Sequence, residues 1–373
     1  MASKTVFISH VPIPNPEIAS WTNRYTKLIR KNITVFDYII APEGIKKISD
    51  IKYSFIKEPT LLTYKIGKLI PYYKHKVYWT ALKKIINSTT NVTIHIIDNP
   101  NILFAINYYV TKNKLKNKIK IVFHMCGYNY NFTETQKNTF YKAIDTLIIQ
   151  TNSSINYQKK EIEKGTCNIF QIYNGIDGKK FFRINQNKKA ILKNKKNITT
   201  EKFIFLWVSQ DRPKKGLTII LKAWEKLIKK FNNIELLVIG AAKTNEIKNV
   251  TWLGKIPNFE LPEYYQLADF YLFSTQCNEG FGLTLGEALK CGTTCLASDI
   301  DPMKEILNNE LYGRLVKNPS QPKSWSIAIQ EEIEKYSNNN FENIYLKNIP
   351  NKIYDYKNWS TSILKLILKD EIH

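Results

Sequence analysis

Asn278 to Gly292 reads NEGFGLTLGEALKCG, and the run just before it, Asp269 to Thr275, reads DFYLFST. The earlier string is short, apolar and aromatic, as a buried parallel strand is, and it ends near Ser274. A loop with glycine at 280 and 282 follows. It opens a helix near Gly282 that stops at Gly292, a normal C-terminal stop. The first amides of a helix have no internal partners, and the helix dipole is positive there. Main chain at Phe281, Gly282 and Leu283 therefore suits a diphosphate or another electron-rich group. Gly280 and Gly282 let such a ligand approach the backbone.

Two carboxylates bracket this turn. Glu279 precedes the helix, and Glu287 lies about one and a half turns into it, among Leu283, Leu285 and Leu289. A carboxylate accepts two hydrogen bonds and suits vicinal hydroxyls. Taken singly, Glu287 also reads as an exposed helix residue and Glu279 as a loop charge. The apolar company of Glu287 makes an unpaired acid there an odd choice.

Outward from this turn, strands and helices alternate. FIFLWVS (203–209) reads as a strand. Leu217, Ile220, Leu221, Trp224, Leu227, Ile228 and Phe231 then mark one helical face. IELLVIG (234–240), VTWLG (250–254), TTCLAS (293–298) and YGRLV (312–316) read as further strands, with a helix starting near Leu261 and a short one from Pro302. The first half repeats the pattern with TVFISH (5–10), ITVFDYIIA (33–41), VTIHII (92–97), IKIVFH (119–124), DTLIIQ (145–150) and IFQIY (169–173). Such alternation predicts an α/β chain of two Rossmann-like, doubly wound domains facing across a cleft. The expected boundaries are residues 1–182, a lysine-rich linker at 183–202, a second domain at 203–355, and a final helix, 356–373, returning toward the first domain. Ligands of open α/β sheets bind beyond the carboxyl ends of the strands, so the chemistry is expected on those loops.

The chain has 373 residues, enough for two cores, and 43% of them are hydrophobic. No apolar run spans a membrane, and the opening MASKTVFISH lacks a signal-peptide stretch, so a cytoplasmic protein is expected. Five cysteines, at 126, 167, 277, 291 and 295, form no metal-binding or disulfide framework and read as small buried hydrophobes. The net charge of +23 implies an anionic partner. Between Glu58 and Glu134 the one acid is Asp98, against eleven lysines.

The stretch EGFGLTLGEALKCG, with seven residues between Glu279 and Glu287, resembles the signature of retaining glycosyltransferase family 4, the glycosyl transferases group 1, which have the GT-B fold. The resemblance spans most of the C-terminal half and, more weakly, the N-terminal half. It implies that Glu279 contacts donor-sugar hydroxyls, that Gly280 and the Phe281–Leu283 amides lie near sugar and phosphate, and that Glu287 holds the ribose. SQDRPKKGL (209–217) is similar to the family's strand-to-helix loop. Lys215 would then neutralise the donor diphosphate, as a metal does elsewhere. The family usually has Gly-Arg where this chain has Ser209 and Gln210, and Arg212 is the expected substitute. LGKIP (253–257) resembles the family's base pocket at Gly254 and Lys255. IVFHMCG (121–127) places His124 where the family commonly has a histidine near the scissile bond. By chemistry alone, His124 is a core histidine or a substrate donor. IYNGID (172–177) is similar to the family's turn before its linker. The first loop, HVPIPNPEIASW (10–21), lacks the usual glycine pair, with Ala19 and Ser20 in its place. Asp299-Ile300-Asp301 mimics a metal motif of another fold and is read as structural, with Glu305 beside the donor site.

The resemblance thus implies a metal-independent, cofactor-free hexosyltransferase. It would move a hexose-type sugar from a nucleotide donor, UDP-linked rather than GDP-linked, to a glycan or lipid-linked acceptor, in cell-surface polysaccharide or lipopolysaccharide synthesis. Two other readings stand beside it. One is a nucleotide-sugar epimerase of the same architecture, which would need clustered acid and base groups. The other is a basic nucleic-acid-binding protein, although no such motif is visible and no nucleic-acid partner is expected. Tyr72 to Ile86 is rich in aromatics and lysine, with Val77, Tyr78, Ala81, Leu82 and Ile85 on one helical face. That face predicts either peripheral contact with anionic lipid, on the inner face of the membrane, or a domain helix with a solvated basic side.

Overall fold

The computed structural model describes residues 3–15, 21–44, 46–57, 66, 72–86, 91–162, 167–244 and 246–369. Two compact units emerge: Met1–Tyr173 together with Lys357–His373, and Asn174–Tyr356.

The first unit holds a parallel sheet of β1 (Lys4–Ile8), β2 (Tyr38–Pro42), β3 (Lys52–Ile56), β4 (Val92–Ile97), β5 (Ile119–His124), β6 (Thr146–Ile149) and β7 (Asn168–Gln171). Their spatial order among the described residues is β3-β2-β1-β4-β5-β6-β7. Crossover helices run over Trp21–Lys31, Lys76–Ile86, Pro100–Lys112, Glu134–Ala143 and Asn152–Glu161. Side-chain oxygens of Asn99, Thr133 and Thr151 cap the last three. The central strands are apolar on both sides, as a sheet covered twice demands: all six residues of β4 are buried. Trp359, on the final helix Tyr356–Lys369, meets Tyr25 edge-on at 5.3 Å between ring centroids. The Arg24 guanidinium lies 5.7 Å from the same indole.

The second unit repeats the plan with β8 (Phe203–Val208), β9 (Ile234–Ile239), β10 (Val250–Gly254), β11 (Phe270–Phe273), β12 (Thr294–Ser298) and β13 (Arg314–Val316), ordered β10-β9-β8-β11-β12-β13. Phe205 stacks on Phe270 at 4.5 Å where β8 and β11 pair. Trp224, on the helix Leu217–Leu227, and Trp325, on the helix Pro322–Asn338, are fully buried in this core.

Two expectations are corrected. The 183–202 stretch is not a linker: it holds the helix Gln186–Lys195, capped by Asn185, and lies within the second unit. Lys189 and Lys193 of that helix reach the buried carboxylate of Asp269, so its lysines are structural partners rather than signs of solvation. The first unit ends at Tyr173, nine residues before the expected 182. Strand β3 and the helix Pro322–Asn338 were not foreseen. β3 is a short, half-exposed edge strand, and the long helix interleaves charges with its buried Trp325, Ala328, Ile329 and Ile333. The apolar side of Lys76–Ile86 faces protein: Tyr78, Ala81, Leu82 and Ile85 are buried in the first core.

Candidate functional site

In both sheets the strand order reverses once, between β1 and β4 and between β8 and β11. A crevice opens beyond the carboxyl ends of strands at such a switch point. In the second unit the two loops there are the one after β8, carrying Lys215, and the one after β11, carrying Glu279.

These loops are tied together closely. Ser274 donates its hydroxyl to the Lys215 carbonyl at 2.9 Å and receives the Trp207 indole N–H at 3.0 Å. The Gln276 amide donates to the Lys214 carbonyl at 2.7 Å. Gly216 sits at φ +73°, and a Cβ there would stand 2.0 Å from the Ser274 carbonyl oxygen. Only glycine admits both the conformation and the approach. On this base Lys215 Nζ meets Glu279 Oε1 at 2.5 Å, and Thr275 Oγ1 donates to the same oxygen at 2.7 Å. Both side chains keep some exposure, 22% and 17%, so the pair is reachable by solute.

Two helices begin here, Leu217–Leu227 and Leu283–Cys291. Each starts from a left-handed glycine, Gly216 or Gly282, and neither has a side-chain cap. The helices Pro100–Lys112, Glu134–Ala143, Asn152–Glu161 and Gln186–Lys195 are all side-chain capped. Two uncapped N-termini beside a lysine form an anion site by backbone chemistry alone. The second helix is wedged in place. Phe281 is buried against Tyr354 at 5.0 Å, and a Cβ on Gly286 would stand 2.6 Å from Ile176 Cδ1. The Glu279 amide donates to the Asp301 carbonyl at 3.3 Å, so the loop after β12 buttresses the glutamate.

Residues 188–347 match the model of the family described as glycosyl transferases group 1. That match lies wholly within the second unit. The chain is similar to the phosphatidyl-myo-inositol mannosyltransferase of Mycolicibacterium smegmatis, 31% identical over 114 residues, which are 28% of this chain and 30% of that one. The match thus covers less than a third of that relative's length. Over 98% of both chains the fold is similar to sucrose-phosphate synthase from Thermosynechococcus elongatus, with TM-score 0.75 at 15% identity. It is also similar to Anabaena HepE in complex with UDP-glucose, with TM-score 0.73 at 15% identity and 98% coverage of both chains. Two doubly wound parallel-sheet units make this the GT-B fold class.

Within the matched stretch, Gly280 and Phe281 are buried, and Gly282 and Leu283 are half-buried at the helix tip. Glu287 lies by the hydroxyls of Tyr265 and Tyr271. Burial first, then this carboxylate, raises the Tyr265 phenol well above its ordinary value. The Tyr271 hydroxyl in turn reaches the Val208 carbonyl at the end of β8. Gly254 ends β10 at φ +62°, where its carbonyl accepts the Gly240 amide at 2.7 Å, and Lys255 beside it is exposed. The exposed Arg212 side chain has no hydrogen-bond or ion-pair partner among the described residues. Asp299 pairs with Lys304 at 3.3 Å. Among the described residues no three His, Cys, Asp or Glu gather as metal ligands. Ala19 and Ser20 lie outside the described residues.

His124 is 2% exposed, with Tyr25 Oη 2.5 Å from Nδ1 and His95 Nδ1 3.0 Å from Nε2. Both ring nitrogens have partners inside the first unit, and burial, helped by His95, holds the ring neutral.

The switch point of the first unit instead presents residues that sequence reasoning passed over. His10 follows β1, and Asp98 follows β4 at φ +50°. Asp98 Oδ1 accepts the Tyr130 hydroxyl at 2.6 Å and the Cys126 amide at 3.0 Å. Burial raises the Asp98 pKa, opposed by those bonds and by His10. Burial lowers the His10 pKa, opposed by Asp98. The signal was present: Asp98 is the lone acid in a long basic run.

Proposed function

We infer that the chain is a retaining glycosyltransferase that moves a hexose-type sugar from a nucleoside diphosphate, preferably UDP, to a glycan or lipid-linked acceptor. The observation that carries this reading is the Lys215–Glu279 pair lying between two uncapped helix N-termini at the switch point of a group 1 domain. Lys215 and the Leu217 and Leu283 helix tips would hold the diphosphate and stabilise the charge it gains on leaving. Glu279, released from Lys215 by that phosphate, would take sugar hydroxyls, and Glu287 the ribose. Gly254 and Lys255 would flank the base. The leaving group is neutralised by lysine and amides, so turnover is expected to persist without a divalent metal. Retention follows from same-face attack, with the donor phosphate receiving the acceptor proton. A mannosyltransferase of a lipid among the relatives and UDP-glucose in a structural neighbour support the acceptor and donor classes.

The acceptor would meet the His10–Asp98 end of the first sheet. Lys76, Lys83, Lys84, Lys112, Lys114, Lys116, Lys118 and Lys120 are exposed on that unit, which suits peripheral docking on anionic lipid in surface-polysaccharide or lipopolysaccharide synthesis. No helix among the described residues is long and apolar enough to cross a membrane. The test is product analysis of UDP-glucose with a lipid-linked glycan, with and without chelator. A new α-linkage from an α-donor in both arms is expected. Inversion, loss with chelator, or isomerised donor in the absence of acceptor would each overturn part of the reading.

A further inference from the structure

The second unit carries a cavity of about 450 Å³ at the amino ends of β11 and β12, the opposite sheet edge from Lys215 and Glu279. Arg183, Lys189, Asp269, Gln266, Asn343 and Tyr336 line much of it. In its wall Arg183 and Lys189 stand against Asp269 and the exposed Glu342, with Lys193 behind them. Lys189 and Lys193 share one carboxylate, Asp269, at 2.6 and 3.0 Å. Asp269 is further saturated by the Ile204 amide at 2.8 Å and the Tyr336 hydroxyl at 3.0 Å. Two ammoniums therefore stand on one buried acid, and Lys189 has no other partner among the described residues.

Arg183 adds a second unneutralised cation. Its guanidinium donates to the Ile349 carbonyl at 2.6 Å and to Asn351 Oδ1 at 3.0 Å, both neutral, and it meets no carboxylate among the described residues. The other N–H groups of Arg183 and Lys189 meet no further protein acceptor among the described residues. The other acid of the wall, Glu342, is exposed. A partly buried cation without a counterion is costly, and an anion in the cavity would relieve it. The Gln186–Lys195 helix begins in the wall, with its positive dipole end adding to the same field. Around these cations stand amides and hydroxyls, the groups that recognise a polyol.

We propose that this cavity is a second ligand site of the domain, for a sugar monophosphate, with the phosphate between Arg183 and Lys189 and the hydroxyls on Gln266 Oε1 and the exposed Asn187 amide. The helix Leu283–Cys291 spans from the Gly282 tip to Cys291 and Gly292 in the cavity wall, so the ligand would touch the far end of the element that carries Glu287.

Calorimetric titration of glucose 6-phosphate into the full chain, with and without saturating UDP, tests this. Inorganic phosphate and glucose serve as separate arms. Saturable binding that UDP does not displace is expected, tighter than inorganic phosphate and absent for glucose. Arg183→Gln and Asn187→Asp should each weaken it about tenfold or more. Asn187 is exposed in the cavity wall in the first turn of its helix, where a carboxylate favours the helix, so that variant keeps its fold while repelling an anion. No binding, displacement by UDP, equal binding of inorganic phosphate, or unchanged affinity in both variants would overturn the proposal.

Discussion

Lys215 Nζ stands 2.5 Å from Glu279 Oε1, although the two residues are 64 positions apart in sequence and come from loops after different strands. The loops are fixed beneath them by Ser274, Trp207 and the close approach at Gly216. If the pair handles the leaving diphosphate, Lys215→Ala should lower kcat about a hundredfold or more, with a smaller change in KM. Glu279→Gln should act mainly on the sugar, so UDP affinity should change little while turnover falls. Steady-state kinetics with separate UDP binding measures both.

The glycines here differ in what they tolerate. Gly216→Ala puts a Cβ 2.0 Å from the Ser274 carbonyl at φ +73°, and should cost more than about 3 kcal/mol. Gly254→Ala meets nothing within 4 Å, so only its φ of +62° counts against it. About 1 kcal/mol is expected there. Urea unfolding of the two variants gives the comparison.

Much of this was legible in the sequence. Apolar β-branched runs located most strands, because a doubly covered sheet needs them, and glycines 280 and 282 marked the turn into the helix after β11. That helix start was readable from residue types alone. The helix Gln186–Lys195 was not. Its lysines look solvated in sequence, and only the fold brings Asp269 under two of them. The surroundings of His124 were hidden for a related reason: its partners Tyr25 and His95 lie 99 and 29 residues away.

The His95–His124 pair makes the first unit sensitive to acid. Burial lowers the His95 pKa to about 3, and the His124 pKa is lowered as well. Both pKa values lie below the unfolded value of about 6.5. Between these limits the unfolded chain binds more protons, so stability is full above pH about 6.5 and falls as pH drops toward the folded pKa values. Denaturant midpoints at pH 7.5 and 5.5 should differ markedly, and His95→Gln should flatten the slope.

Trp359 ties the chain's last helix to the first unit. It is 4% exposed and packs on Tyr25 and Arg24. Trp359→Ala should cost about 3–5 kcal/mol. If the two units melt separately, that loss should appear in the transition of the first unit, as calorimetry can show.

The central claim is that a nucleoside diphosphate binds the second unit where Lys215, Glu279 and the Gly282 helix tip meet. Isothermal titration of UDP, GDP, ADP and CMP into the chain and into Lys215→Ala tests it most directly. The account predicts saturable UDP binding without added metal, weakened about tenfold or more by the substitution. Failure of every diphosphate to bind, or equal UDP affinity in the variant, would contradict it.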